Sequence, residues 1–526
     1  MKPRFAMRRN HNFRCLDLQI LLIFGKQSVP MNRFFSLFLL ATTLTAGAAL
    51  PQPGLIVRIH FAGGDAVAMD KNYSAFNNEF SSAEALALRR QAADKLAPWL
   101  AGWLQAKAGA GTSAENLRPL FDDLQSSEWF FEAHTSAGKP SGYFAIKLDP
   151  ARLQLWKANL KSAPFEIDDS RGWLFCLFGD TVGKLGDLQI PPPLAGWLEC
   201  DVNWPELGRW YPGVKALDLP ETKFSVSAAA GQFHIIGRFY FLQNLAGRFD
   251  PWQIPVNEIH QPLTSFTAVR GFAPWLAGQD WGRAWQLSPP ANQLFIWSMS
   301  GMPFQTFAAV PLNDSMAALN RLYQNLQPAL AAENARKRFV DPFKLSLESN
   351  RLIVAGAPIV TPEITAQHDP AGDLLFASTF PNAMHGRPLP PELSQALARP
   401  NLLYYHWEMT APRFPALLQY SQLALMLTAH AQMNVQSVAS KWAQISYPAP
   451  GITTTEITQT APDQLTFTRN APAGFTALEF FALASWVDAP EFPHCTLELP
   501  SLSERMKMLR AKRMHAQPPG SPAPPQ

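Results

Sequence analysis

Residues 196–241 hold the feature that most narrows what this chain can fold into: a strand, a capped helix and a hairpin in succession, variants of which recur at three other places. In residues 196–202, Leu198, Cys200 and Val202 alternate with Trp197, Glu199 and Asp201, the period of a strand with one buried face. Asn203 then supplies a side-chain oxygen for the free N–H groups of a first helical turn, and Pro205 fits where no N–H is needed. A short helix through Leu207 and Trp210 follows. Phe224, Val226 and Ala228 lead the next strand, Ala230 and Gly231 turn the chain, and Phe233, Ile235, Phe239 and Phe241 lead it back.

GYFAIKLDPARLQLW, from Gly142, matches the unit at its opening Gly, alternating face, helix Leu and closing Trp, with Asp149 in the place of Asn203. In TFAAVPLNDSMAAL, from Thr306, the cap is read as Asn313, and in LYYHWEMTAPRFPALL, from Leu403, as Thr410. The later copies keep a hairpin, with turns at Ser349-Asn350 and Pro462-Asp463. A longer repeat encloses these: APWLAG stands at both 97–102 and 273–278, followed in each case by two strands. The expected fold is α+β, with two similar halves built from these units, each an antiparallel sheet with helices packed on one face.

Residues 31–48 read as a secretory signal peptide, with a basic start at Arg33, an apolar run over 34–44 and a small-residue cleavage site at 46–48. The run is too short to span a bilayer, and residues 1–30 are read as an upstream extension outside the native start at Met31. The first half is then 49–250, beginning with a strand at 55–61 and a helix boxed by Ser81 and Glu84 that Pro98 is expected to kink or split. A Pro-punctuated connector at 251–263 leads to the second half, 264–500, whose long helix over 412–442 is read as core, and whose last helix covers 474–487. Residues 501–526 form a basic, Pro-rich tail expected to be disordered, which as a helix would place Met506 and Leu509 near one side. A plain solubilising tail is preferred to one that lies on a membrane.

The formal charge of +3 misleads. Residues 1–48 carry seven Lys/Arg and one Asp, and the tail from 501 five Lys/Arg and one Glu, which leaves residues 49–500 at −7. A mildly acidic body lacks the footprint that nucleic-acid binding needs. Cys176, Cys200 and Cys495 remain after export; Cys176 and Cys200 read as buried small hydrophobes, with a disulfide between them if their strands are neighbours.

No HExxH, phosphate-binding Gly loop, GxSxG elbow or CxxC motif is present, and the WSMSG at Trp297 reads as hairpin. Asp168-Asp169 reads as a solvated turn. Tyr404, His406 and Glu408 share a strand face, with Glu199 and Asp201 read as their counterparts in the second unit. A His and a carboxylate so placed can bind metal or pass a proton, but the solvated face of a half-buried sheet is the plainer reading. Trp99, Trp103, Trp275, Trp281 and Trp285 gather around the two APWLAG segments and either wall a groove for an apolar or sugar ligand or pack a core, the latter preferred. No catalytic, cofactor or metal residue is assigned.

The segments SFTAVRGFAPWL, ANQLFIW, LPPEL and ITQTAPDQLTFTR resemble those of a group of uncharacterised exported bacterial proteins of similar length. The resemblance implies export and a single fold over most of the mature chain, and carries no activity. The function expected is that of an exported, non-catalytic binding or structural protein of the cell envelope, periplasmic or extracellular, holding an apolar ligand or an envelope protein partner between its halves. The alternative is a secreted hydrolase whose site assembles only in the fold, with His406 and Glu408 as candidates.

Overall fold

Among the described residues the strand-forming segments pair, without exception antiparallel, into one sheet of eighteen strands. The computed structural model describes residues 54–73, 81–108, 112–163, 165–170, 172–179, 191, 193–211, 219–245, 249–278, 290–299, 305–335, 342–356, 360–380, 389–417, 437–446, 451–489 and 492–493. The signal peptide, the stretch before it, Cys495, Trp281, Trp285, the tail and the middle of the 412–442 helix lie outside the described residues.

In chain order the strands of the first part are β1 (Leu55–Phe61), β2 (Trp129–Ser136), β3 (Lys139–Lys147), β4 (Glu166–Ser170), β5 (Trp173–Phe178), β6 (Leu198–Val202), β7 (Glu221–Ala229) and β8 (Gln232–Tyr240). They continue as β9 (Leu263–Arg270), β10 (Gln293–Met299), β11 (Gln305–Pro311), β12 (Lys344–Glu348), β13 (Arg351–Ala355), β14 (Glu363–Asp369), β15 (Gly372–Ser378), β16 (Leu402–Met409), β17 (Ile452–Ala461) and β18 (Gln464–Ala471). Across the sheet the order is β4-β5-β3-β2-β1-β6-β7-β8-β18-β17-β16-β9-β10-β11-β15-β14-β13-β12. The β8–β18 pair joins the eight strands that come first in the chain to the ten that follow, and β4 and β12 are the two ends among the described strands.

Ten α-helices are described: α1 (Gly64–Ala68), α2 (Ala83–Ala108), α3 (Ala114–Ser126), α4 (Pro150–Asn159), α5 (Trp204–Trp210), α6 (Ala273–Gly278), α7 (Ser315–Ala335), α8 (Pro391–Leu397), α9 (Val438–Ser446) and α10 (Ala477–Asp488). On one sheet face Ile146, Leu174 and Cys176 pack against Leu117, Leu120, Leu153 and Trp156 of α3 and α4. On that same face Leu352 and Ile364 pack under Leu319 and Leu326 of α7. Helices also cover part of the opposite face, where Phe266, Phe295, Trp297 and Phe307 meet Leu393 and Leu397 of α8. The expectation of helices on one face alone is therefore corrected: β10 and β11 turn large aromatics outward on the second side, and those need a cover of their own.

Residues 142–156 and 196–210 each run from a strand into a helix, and Asp149 and Asn203 cap those helices through side-chain oxygens. The other two caps shift. Asp314 rather than Asn313 accepts from the N–H of Ala317, and Thr410 is already helical, its hydroxyl 3.1 Å from that of Thr453. Ser82 rather than Ser81 caps α2, which runs on through Pro98 without a break. In the third unit a second hairpin, β14–β15, follows the one turning at Ser349, and it is β15 that returns to β11. Asp168 and Asp169 lie in strand β4, not in a turn, and Asp169 pairs with Lys157.

The 251–263 connector packs against the sheet. Ile259 is fully buried and Trp252 packs on the aromatic core. Arg270, 4 % exposed, ties the connector to the sheet by donating to the carbonyls of Asp250, Arg399, Pro400 and Leu402, with its guanidinium 4.6 Å from the Trp252 ring centroid. Among the described residues Cys176 and Cys200 are free thiols, and they do not bond to each other because β3, β2 and β1 stand between β5 and β6. Among the described residues no helix is long and apolar enough to cross a membrane.

Candidate functional site

The Tyr404, His406 and Glu408 face of β16 is not solvated. The Glu408 side chain is 1 % exposed and that of His406 12 %. Beside them lie Val269, Thr267 and Ser265 of β9 and Ile457, Thr455 and Thr453 of β17, with Arg469 of β18 next in line. One oxygen of Glu408 accepts from the N–H of Ala477, the first residue of α10, at 2.7 Å; the other lies 3.5 Å from Arg413 Nε and 3.8 Å from His406 Nε2. Arg469, fully buried, donates twice to Glu479 at 2.8 and 3.0 Å and once to Thr455 at 2.8 Å. Glu479 completes a capping box with Thr476.

The network thus joins β16, β17, β18 and the start of α10. Two carboxylates and two guanidiniums balance, and a carboxylate at a helix N-terminus is favoured by the peptide dipoles. Burial, reinforced by Arg469 and Arg413, pushes His406 down to about 3, so the imidazole is neutral. Burial pushes Glu408 up, against the opposing pull of Arg413 and of the Ala477 N–H. Nδ1 of His406 shares a 2.8 Å hydrogen bond with Thr267, whereas Nε2 has no hydrogen-bond partner among the described residues. The arrangement docks α10 to the sheet.

Glu199 and Asp201 do not correspond to this pair. Followed strand by strand, the pairings put Leu198, Cys200 and Val202 on the His406 face and turn Glu199 and Asp201 to the opposite side. The expected alignment is one residue out of step, and such a step exchanges the faces of a strand.

On that opposite face a row of directly opposed residues crosses five strands: Tyr143, Glu132, Arg58, Asp201 and Lys223. Arg58 Nε donates to Glu132, and Nη1 lies 4.0 Å from Asp201. His134 Nε2 is 2.8 Å from Glu132, and Lys223, 5 % exposed, is 3.6 Å from Asp201. Burial pushes Glu132 up, but His134 and Arg58 outweigh it and hold the carboxyl below its ordinary range. For Asp201 burial wins over Lys223 and Arg58, and its carboxyl is raised. Chemically, the row offers two carboxylates of unlike acidity around one guanidinium. Arg58, Glu132, His134 and Lys223 are not singled out from sequence, although charged residues every second position inside otherwise apolar strands, as in Glu132 and His134, carry the signal.

Of the tryptophans, Trp99 and Trp103 stand one turn apart on α2 and are 41 and 42 % exposed. A hollow of about 270 Å³ beside α4, lined by Leu148, Leu153, Asp169 and Trp173, shares no residue with either polar cluster. Among the described residues no group of His, Cys, Asp and Glu is placed to hold a metal ion. Comparison of the chain with protein-family models, with curated proteins and with solved structures yields no match.

Proposed function

We propose that this is an exported, non-catalytic binding protein of the cell envelope, and that its apolar ligand or protein partner engages the Trp99–Trp103 face of α2. The observation that carries the proposal is the exposure of these two large rings at i and i+4 on one helix. Tryptophan left in water forgoes a large burial energy, and rigid aromatic anchors of this kind dominate interfaces. This face is preferred to a crevice between halves because β8 and β18 are paired along their whole length. Trp99→Ala with Trp103→Ala should leave the thermal unfolding curve unshifted and abolish co-purification of the envelope partner in native mass spectrometry. Unchanged co-purification rejects the proposal.

We propose also that the chain is two copies of one fold. The order outward from the β8–β18 pair supports it: β8-β7-β6-β1-β2-β3-β5-β4 on one side, and β18-β17-β16-β9-β10-β11-β15-β14 on the other, with β13-β12 added. The place of Arg58, Glu132 and Asp201 is then taken in the second copy by Phe266, Trp297 and Trp407, which also lie directly opposite one another. The charged row replaces an aromatic core, and such a local departure from packing rules marks a site kept for function more often than for stability. It favours a second reading, a hydrolase using Glu132 and Asp201. Turnover of ester, peptide or glycoside substrates that Glu132→Gln abolishes would decide for it.

A further inference from the structure

The end of the sheet formed by β12 carries an inference beyond ligand binding. Among the described residues β12 pairs with β13 alone. Which of its backbone groups face outward follows from the neighbouring strands. Val354 donates its N–H to the carbonyl of Pro362, so the even-numbered residues of β13 bond toward β14, and Arg351, Ile353 and Ala355 bond toward β12. Their partners Glu348, Ser346 and Lys344 are thereby used internally, while Leu345 and Leu347 present their N–H and C=O groups to the open edge.

We propose that this edge joins two copies of the chain into a closed dimer with β12 antiparallel to β12 of the second copy. The register that engages all four outward groups sets Leu345 opposite Leu347 of the second copy and Ser346 opposite Ser346 across the twofold axis. The same register sets Lys344 opposite Glu348, twice. The segment Lys344-Leu345-Ser346-Leu347-Glu348 is therefore self-complementary in hydrogen bonding and in charge at once. Glu348 already pairs with Arg351 at 2.8 Å, and Lys344 of the second copy would flank its other side. Leu345 and Leu347, half-buried at the margin of the core beneath α7, would become the middle of a continuous apolar floor. At the opposite end β4 reads Glu166-Ile167-Asp168-Asp169-Ser170, and the equivalent register would set Asp168 against Asp168. Like charges opposed in this way repel, so association stops at two copies.

The test uses the full chain in sedimentation velocity, with Ser346→Cys as a geometric probe. The wild type should sediment as a dimer at tens of micromolar. Opposed residues that are not hydrogen bonded lie about 4.5 Å apart at Cα, so Ser346→Cys should cross-link to a covalent dimer on mild oxidation. Lys344→Glu and Glu348→Lys should each dimerise about tenfold more weakly, and an equimolar mixture of the two, in which both contacts are again of opposite sign, should recover wild-type association. Circular dichroism checks that each variant is folded. A wild type that stays monomeric, or charge variants that associate as tightly alone as mixed, would overturn the proposal.

Discussion

His406 shows what the packing of single residues decides. The imidazole is held at about 3 by burial and by the guanidiniums of Arg469 and Arg413, while in the unfolded chain it takes up a proton near its ordinary 6.5. The unfolded state thus binds the extra proton first, and this residue's contribution to stability is lost as pH falls from 6.5 towards 3. Glu408, raised by burial, works in the opposite sense: protonation favours its folded form. His406→Gln should flatten the acid limb of a urea-stability profile over that interval, and an unchanged limb would show that another group sets it. The His-x-Glu spacing was legible in the sequence, but its burial was not. Tyr404 and His406 read as polar on a half-buried strand, and the partners that enclose them, Arg469 and Glu479, come from the far end of the chain.

For whole elements, local chemistry was read well wherever it is self-contained. Asp149, Asn203 and the turn at Ala230-Gly231, both residues with positive φ, depend on neighbours a few positions away. The failures at Asn313 and Ser81 are slips of one residue, because the adjacent Asp314 and Ser82 are cap formers too, whereas Thr410 is already within the helix it is read to cap. The opening Gly of the unit has a cause that sequence only hints at. A Cβ on Gly142 would come within 2.0 Å of the Glu132 carbonyl, and one on Gly196 within 2.5 Å of the Val226 carbonyl. Gly142→Ala should therefore cost about 2–3 kcal/mol by prying β3 from β2. Gly102→Ala, on α2 with nothing within 4 Å, should instead gain about 0.5–1 kcal/mol through helix propensity. Urea denaturation of both variants checks the contrast, and equal effects would refute it.

The strand–helix–hairpin units made the α+β class and the antiparallel sheet legible at the scale of the molecule. The strand order was not, because nothing local says that β1 lies beside β6 or β9 beside β16. If the halves are copies, each should hold its sheet without a covalent link. A protease site inserted between Leu245 and Phe249 should, once cut, leave two fragments that co-elute, and each fragment should regain strand-type circular dichroism when refolded alone; a fragment that stays unfolded would contradict the two-copy reading. The β8–β18 pairing has a further consequence, for the time course of folding. Tyr240 waits for Gln464 and Phe233 for Ala471, so the junction closes only after β18 has emerged from the ribosome. Contacts so remote in sequence are slow to form, because a long loop must close before they repay its entropy. Until then β8 is a bare strand edge, open to pairing with another unfinished chain.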